Sequence, residues 1–382
     1  MMKSTTAIRL GSASAARGEK AWGQLRIRQA GVSTALPVAV IVGEKDGPHA
    51  VFLANQHGAE LNGFESIRRA VSDIDPARLK GSVFAVASAN PRGAMLGESD
   101  WPEAYHEQLL AKHGKGPYKP IPGAKPSPYD LNMNRNWPGD KNGLFVRRVA
   151  HELWTHAVMA DHGRAHLLVD LHSHQNRTAV YAEDAVATDL GVVSGVRNVV
   201  KTRFSGTVTT SNTVCRMHGI PSITIELQGQ RKFVPASVEE GRIALLNLLK
   251  FYRMLPGKPR LGEEAWIVDP WRDDETNKAV KTASNEKHFA RRAGLFVPRK
   301  DTYDRIRKGD LLGEVVDAYT GRTLETHESG MTGILYGMHL SGVCDKGDRL
   351  FVVASARKVR PRDYVRRLDP AKLRPEATDT PT

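Results

Sequence analysis

The residues best suited to chemistry lie in a short loop, residues 55–60 (Asn-Gln-His-Gly-Ala-Glu), which directly follows an apolar run. His57 and Glu60 are three positions apart, and a glycine-containing loop can turn both side chains toward one metal ion. Zinc accepts imidazole nitrogen and carboxylate oxygen, and a catalytic zinc site keeps one position open for water. Because His-x-x-Glu is common by chance, the pair predicts a metal site only if a third ligand and a general base exist.

A further histidine, His172, lies at the end of one apolar run, and an acid, Glu226, lies within another. A strand-end histidine is often only a hydrogen-bonded structural residue, and a buried glutamate is often half of a salt bridge. In α/β proteins, however, ligands bind beyond the carboxyl ends of strands. An acid inside an apolar run is also costly unless it is paired or functional. These positions favour functional roles for both residues.

Short apolar runs without polar alternation predict the strands that carry these residues, because a strand covered on both faces has no polar side. They alternate with segments whose apolar residues recur at helical spacing. This alternation predicts an α/β domain over residues 21–258, with a mostly parallel or mixed sheet flanked by helices. The predicted strands cover 37–42, 49–54, 82–88, 166–171 and 222–227, and the predicted helices lie within 64–74, 144–157, 190–199 and 238–254.

Residues 259–357 have a different pattern of short β runs and glycine turns, which predicts a C-terminal β domain. Lys308-Gly-Asp and Lys346-Gly-Asp are each followed by an apolar run, and this repeat predicts a small pseudo-symmetric all-β fold of the lipoyl-like, barrel-sandwich type. A carrier lysine is excluded because residues 313–345 contain no lysine.

The two ends of the chain lack these patterns. Residues 1–20 are predicted to be a flexible N-terminal lead-in, and residues 358–382 a charged, proline-containing tail. The lead-in has no continuous apolar segment, and no later stretch is long and apolar enough to span a bilayer. We therefore expect a cytoplasmic protein with no membrane partner.

Composition narrows the class of protein. A chain of 382 residues with 40% hydrophobic residues predicts two globular domains. Two cysteines, Cys215 and Cys344, argue against a disulfide scaffold or a thiolate zinc site and fit a reducing compartment. The net charge of +13 is dispersed and lacks zinc-finger or recognition-helix spacing. It therefore favours small anionic substrates over nucleic acid. The oligomeric state stays open, and a homo-oligomer is compatible with the sequence.

Four short motifs carry a resemblance to a known family and are, in chain order, His57-x-x-Glu60, Asn134-Arg135-Asn-Trp-Pro-Gly, Asp170-Leu-His172 and Glu226. Their order resembles that of the zinc carboxypeptidase superfamily, and more closely its succinylglutamate desuccinylase/aspartoacylase branch. The likeness covers roughly residues 22–356. It implies a zinc-carboxypeptidase-like mixed sheet flanked by helices, followed by a small all-β domain.

The resemblance also implies roles for the motif residues. Three side chains would ligate one zinc ion per chain: His57, Glu60 and His172. Glu226 would be the general base, which takes a proton from the activated water and passes it to the leaving amine. Arg135, with Asn134, would bind a substrate carboxylate, for which a guanidinium fork is well suited.

The sequence departs from the family at three places. Asn132 stands where the family often has an aspartate that orients the first zinc histidine; its amide oxygen can still accept the ring proton. No arginine lies between Arg92 and Arg135 to polarise the substrate carbonyl, so Arg92 or a lysine of the long loop 94–129 is the candidate. The lysines in question are Lys112, Lys115 and Lys119. No tyrosine over the site is assigned, and His174 is expected only to support the ligands.

The leading hypothesis is a zinc-dependent amidohydrolase that deacylates a small, anionic N-acyl amino acid or related carboxylate by attack of metal-activated water. A metallocarboxypeptidase acting on peptides or cell-wall fragments is the alternative. A catalytically inactive binding module is a third reading, which Glu226 argues against because a binding protein needs no buried base. A His-Glu-His site also accommodates cobalt, nickel or manganese.

Overall fold

The computed structural model describes residues 7–29, 32–98, 131–202, 210–270 and 285–375. Within these ranges it is a mixed α/β fold built on one large sheet, with two smaller sheets beside it. The strands are β1 Ile8–Leu10, β2 Ala13–Ala15, β3 Lys20–Gln29, β4 Val32–Val42, β5 Lys45–Ala54, β6 Lys80–Val86, β7 Leu167–His174, β8 Ala179–Ala182, β9 Asn198–Lys201, β10 Ser222–Gln228, β11 Ala265–Asp269, β12 Asn285–Phe289, β13 Gly294–Pro298, β14 Arg305–Ile306, β15 Leu311–Val316, β16 Thr323–Glu328, β17 Gly333–Met338, β18 Val343–Cys344 and β19 Arg349–Val359. The α-helices are α1 Asn62–Asp73, α2 Pro91–Leu96, α3 Phe145–Leu153, α4 Ala185–Ser194, α5 Ser211–Met217, α6 Pro235–Phe251 and α7 Pro361–Arg367. None of these helices is long and apolar enough to cross a membrane.

Two hydrophobic cores cover the two faces of the large sheet, because successive side chains of a strand point to opposite faces. On β4, Ala39 and Ile41 belong to the core that contains α1, α4 and α6. Val38 and Val40, on the same strand, belong to the core that contains α3 and α5. This double coverage explains why the strand sequences are apolar without alternation.

The order of strands in the large sheet brings the candidate residues to one edge. Along the sheet the order is β14-β17-β19-β11-β9-β8-β10-β7-β5-β6-β4-β3, with β12 also paired to β19. Strand β7 runs parallel to β5 on one side and to β10 on the other, so the three carboxyl ends lie together. Ala54 pairs with Leu171, and His172 pairs with Glu226. The loop after β5 therefore meets His172 and Glu226.

The prediction of a flexible lead-in is wrong for the described residues 7–20. There β1 and β2 form an antiparallel hairpin, with Leu10, Ala13 and Ala15 at most 1% exposed against the core beside β3 and β4. Gly11 turns the hairpin with φ +60°, and a Cβ on it would lie 2.3 Å from the carbonyl oxygen of Gln24. Buried Leu10, two small alanines and a close backbone approach order this segment.

The C-terminal strands form two packed layers, and one of these layers continues the large sheet. Strands β14, β17, β19 and β12 make one layer, and β16, β15, β13 and β18 make the other. Between them lies a small core that includes Phe296, Leu335 and Phe351. Strand β11 pairs with both β9 and β19, so the large sheet continues past the predicted domain boundary at residue 258. The barrel-sandwich description and the domain boundaries stay predictions.

The predicted charged, proline-containing tail has regular structure in its described part, residues 358–375. Helix α7 buries Tyr364, and Val365, Leu368 and Leu373 pack against the core beside α4. The segment is amphipathic: its apolar residues are few, but they are spaced to fall on one side of a short helix. Composition alone does not reveal this apolar side, because charged residues outnumber the apolar ones.

Candidate metal centre

The loop after β5 is shaped by a residue outside the expected set, Asn55. It ends the strand in the left-handed conformation with φ +57°, which asparagine tolerates better than most residues. Its buried amide nitrogen donates to the carbonyl oxygens of His57 and Gly58, each at 2.9 Å, and of Glu60 at 3.3 Å. Its amide oxygen accepts from Ser88 Oγ at 2.5 Å. One side chain thus holds the backbone on both sides of the two candidate ligands.

The structure brings the three expected metal ligands together. The ligand atoms offered by His57, Glu60 and His172 all lie within 4.8 Å of one another. Glu60 bridges the two rings, with Oε1 3.0 Å from His57 Nδ1 and Oε2 2.9 Å from His172 Nδ1. The two Nδ1 atoms are 3.2 Å apart. His172 and Glu60 are buried, and His57 is partly exposed.

The oxygen atoms beside Nε2 of each histidine ring determine which tautomer the ring adopts. His57 Nε2 lies 3.0 Å from the amide oxygen of Asn132, and His172 Nε2 lies 3.2 Å from a carboxylate oxygen of Asp170. Both oxygens are acceptors, so we assign the hydrogen of each ring to Nε2. The two Nδ1 lone pairs and the Glu60 carboxylate then face one another. Such a donor set repels itself unless a positive charge lies between its members.

The charges of the site also favour a positive ion between the three side chains. Burial disfavours an imidazolium at His172, yet Asp170 and Glu60 raise its pKa well above the ordinary value. Burial likewise opposes ionisation of Glu60, but the two histidines lower the pKa of its carboxyl to about 2. Within the described residues, neither Glu60 nor Asp170 forms an ion pair with lysine or arginine. A divalent cation would balance these two carboxylates, and the donor set therefore fits a metal such as zinc.

Glu226 lies next to the cluster, on the strand adjacent to that of His172. It pairs with His172 on β7 and with the small Ala179 on β8, and it is partly buried. No described side chain donates a hydrogen bond to it. Burial raises the pKa of the Glu226 carboxyl to about 7, with His172 opposing and Glu60 reinforcing the effect. Such a carboxylate can accept and return a proton near neutral pH.

The segment after residue 130 supplies the expected substrate-binding residues. Asn132 caps a single 3₁₀ turn by accepting from the backbone of Asn134 at 2.9 Å. The amide nitrogen of Asn134 is 3.4 Å from His172 Nε2, which places it at the cluster. A guanidinium nitrogen of Arg135 donates to the carbonyl oxygen of Asn134 at 2.7 Å. Arg135 thus directly follows the residue that reaches the cluster, on a short, hydrogen-bonded turn.

Two other expected residues have contacts elsewhere. Arg92 is exposed on α2, and its guanidinium donates to the carbonyl oxygen of Ser33 on β4 at 3.2 Å. His174 donates from Nδ1 to the carbonyl oxygen of Asn176 at 3.2 Å, and its Nε2 is 3.3 Å from the hydroxyl of Tyr181. Burial lowers the pKa of His174. The candidate lysines Lys112, Lys115 and Lys119, and most of the predicted long loop, lie outside the described residues.

Sequence reasoning did not find the tyrosines beside Glu226. Tyr181 lies on β8, whereas Tyr336 lies on β17 and Tyr303 in the turn before β14, and all three share a small core. Burial raises the pKa of the Tyr181 phenol, and Tyr336 and Glu226 add to the effect. No local signal marks Tyr303 and Tyr336, because their approach depends on packing between segments more than 100 residues apart. They show that the C-terminal strands reach the surroundings of the site.

The sheet, its flanking helices and the His-Glu-His cluster define an α/β protein with a candidate metal centre. A family model described as the succinylglutamate desuccinylase/aspartoacylase catalytic domain matches residues 46–252, which is more than half of the chain. The chain belongs to the succinylglutamate desuccinylase/aspartoacylase family, which is a family of hydrolases. The resemblance stated from the sequence is thereby confirmed. A comparison with curated proteins finds no significant match.

Solved structures support the fold. The product-bound ectoine utilization protein EutE (DoeB) from Ruegeria pomeroyi is 20% identical with a TM-score of 0.67, over 92% of this chain and 98% of that one. A succinylglutamate desuccinylase/aspartoacylase from Rhodobacter sphaeroides is 20% identical with a TM-score of 0.64, over 88% and 95%. A succinylglutamate desuccinylase from Silicibacter sp. TM1040 is 18% identical with a TM-score of 0.66, over 93% and 100%. At these identities the likeness concerns the fold alone.

Proposed function

We propose that this protein is a metal-dependent amidohydrolase, with zinc as the expected metal and one ion per chain. The proposed reaction is hydrolysis of the amide bond of a small N-acyl amino acid or a related carboxylate. The observation that carries the proposal is the convergence of the two Nδ1 lone pairs and the Glu60 carboxylate, with Glu226 on the adjacent strand. Membership of a family of desuccinylases and aspartoacylases supports the same reaction class.

The side chains of this protein account for the proton transfers. The metal, held by His57, Glu60 and His172, would supply Lewis acidity toward water and the acyl carbonyl. Glu226 accepts a proton from the attacking water as its oxygen bonds to the carbonyl carbon. It then donates that proton to the nitrogen of the leaving amine as the C–N bond breaks, which yields a carboxylic acid and an amine. The acid then loses its remaining proton to the amine or to water. Its raised pKa suits both steps.

Substrate binding is assigned to the neighbouring segment. The Arg135 guanidinium would form a charge-assisted, bidentate pair with a substrate carboxylate, and Asn134 would donate beside it. Asn132 and His174 support this arrangement, the first through His57 and the second through Tyr181. Arg92 remains the proposed cation for the substrate carbonyl, and this role requires it to leave the carbonyl oxygen of Ser33. The C-terminal β domain, through its tyrosines, would limit the cleft to small substrates.

The proposal is tested by metal content and by a substrate panel. We expect about one zinc per purified chain, and none in His57→Ala. N-acetyl, N-succinyl and N-formyl amino acids are then compared with C-terminal peptide substrates. Deacylation without release of C-terminal residues supports the proposal, whereas release from peptides supports the metallocarboxypeptidase alternative. A wild-type protein that binds no added divalent metal refutes the proposal.

A further inference from the structure

Gln56, between Asn55 and His57, has a hydrogen-bond pattern that the proposed reaction does not require. Its side chain is fully buried. The amide oxygen accepts from the indole nitrogen of Trp137 at 2.7 Å, and the amide nitrogen donates to Asp170 Oδ2 at 2.5 Å. An indole N–H only donates and a carboxylate only accepts. The two ends of the amide are therefore not interchangeable, and its orientation is fixed.

The carboxylate that Gln56 contacts also holds a proposed metal ligand. Asp170 is completely buried, and its Oδ2 accepts from Gln56, from Ser211 Oγ at 2.5 Å and from His172 Nε2 at 3.2 Å. With two neutral donors beside it, the carboxylate cannot rotate without breaking short hydrogen bonds. The His172 ring is thereby held with Nδ1 directed at Glu60. Outer groups of this kind set both the orientation and the basicity of a ligating histidine.

The other partner of Gln56 belongs to the proposed substrate-binding segment. Trp137 is buried two residues after Arg135, and the same segment contributes Asn132, which accepts from His57. A single amide thus joins the loop after β5, strand β7 and the segment that carries Arg135. Loss of the hydrogen bond from Trp137 would leave a buried indole nitrogen or a buried amide oxygen unsatisfied, which destabilises the folded protein.

We propose that Gln56 is a positioning residue, which sets the metal affinity of the His57–Glu60–His172 centre and aligns the Arg135 segment with it. This inference rests on the proposed function, because it assumes that the cluster binds a divalent metal. It assigns no contact between Gln56 and substrate or metal.

Three substitutions separate the two hydrogen bonds. Gln56→Glu keeps the acceptor for Trp137 but places a second carboxylate against Asp170. Gln56→Leu removes both hydrogen bonds, and Trp137→Phe removes only the indole donor. The matched control is Asn247→Asp on α6, because Asn247 is also a buried amide, hydrogen-bonded to the backbone of Ser194 and Arg260.

The readouts are the zinc dissociation constant, from competition with a chromogenic chelator, and the thermal midpoint of the metal-free protein. We expect Gln56→Glu and Gln56→Leu to weaken zinc binding by about 10- to 100-fold. Trp137→Phe should weaken it less and mainly raise KM, because the Arg135 segment loses its anchor. Asn247→Asp should lower the thermal midpoint with zinc affinity within about twofold of wild type.

The outcomes distinguish this inference from the proposed function. A wild-type protein that binds no zinc overturns both. If wild type binds zinc and folded Gln56→Glu has the same dissociation constant, only the role of Gln56 is overturned. If Gln56→Leu does not fold, Gln56→Glu and Trp137→Phe still decide the question. Equal weakening by Asn247→Asp would also overturn the inference, because general destabilisation would then explain the loss.

Discussion

Replacing Glu226 by glutamine tests the assignment of the general base most directly. The two side chains have nearly the same shape, and no described side chain donates a hydrogen bond to Glu226, so the substitution disturbs little besides the carboxylate. Removal of a general acid–base group typically costs about 10²- to 10⁴-fold in rate. We expect the upper part of this range, because Glu226 serves in both proton transfers. Zinc content should stay at the wild-type value.

The same substitution should change the pH dependence of stability in the metal-free protein. Burial raises the pKa of Glu226 from 4.5 to about 7, so the folded protein binds more protons than the unfolded chain between these values. The free energy of unfolding of the wild type therefore falls, relative to that of the Glu226→Gln variant, as pH rises through this window. The full difference corresponds to about 3 kcal/mol, and partial exposure of the side chain reduces the expected effect to about 2 kcal/mol.

Urea denaturation of both metal-free proteins at pH 4 and pH 8 measures this effect. Glu226→Gln should match wild type at pH 4 and exceed it by about 2 kcal/mol at pH 8. Steady-state kinetics and metal analysis of the zinc-loaded proteins complete the comparison. A kcat within tenfold of wild type would refute the role of Glu226 as the base. Equal stability at both pH values would refute the argument from burial.

Three further substitutions test the loop and its neighbours. Asn55→Ala removes the amide that holds the loop and puts alanine at φ +57°, so we expect a loss of about 2–4 kcal/mol in urea denaturation and weaker zinc binding. Gly58→Ala places a Cβ 2.1 Å from the carbonyl carbon of Gly93, so titration should show zinc affinity reduced at least about tenfold; unchanged affinity would contradict the geometry. Asn132→Asp adds a charge behind His57, so chelator competition should show about tenfold tighter binding.

Much of the fold follows from local pattern. The apolar runs at 37–42, 49–54 and 166–171 coincide with β4, β5 and β7, because strands covered on both faces must be apolar throughout. The proximity of His57, Glu60 and His172 could also be predicted, because two of them lie in one loop and the third ends a strand parallel to its neighbours. His57 and Glu60 are close because they are close in sequence, and His172 is close to them because its strand is adjacent to theirs.

The remaining features depend on contacts that no local pattern reveals. In the sequence Gln56 is an ordinary polar loop residue, and only the fold brings Trp137 and Asp170 within hydrogen-bond distance of it. The N-terminal hairpin is ordered by Leu10 and two alanines that pack on a surface formed by β3 and β4. Helix α7 is ordered by a surface that includes α4. Short helices and two-stranded hairpins are marginally stable in isolation, so their order depends on the surface that they cover. Composition therefore misjudged the N-terminal segment, and it did not reveal the helix within the charged C-terminal tail.

The continuity of the large sheet has a practical consequence for expression of the protein in parts. Strand β11 pairs with β9 and with β19, so β9 has partners on both sides only when the C-terminal strands are present. A fragment ending at residue 258 would expose the unpaired backbone of β9 to solvent. Exposed strand edges recruit other chains, so such a fragment should aggregate although it contains every proposed catalytic residue. The shortest fragment that we expect to fold therefore extends well beyond residue 252, where the match to the family's catalytic domain ends.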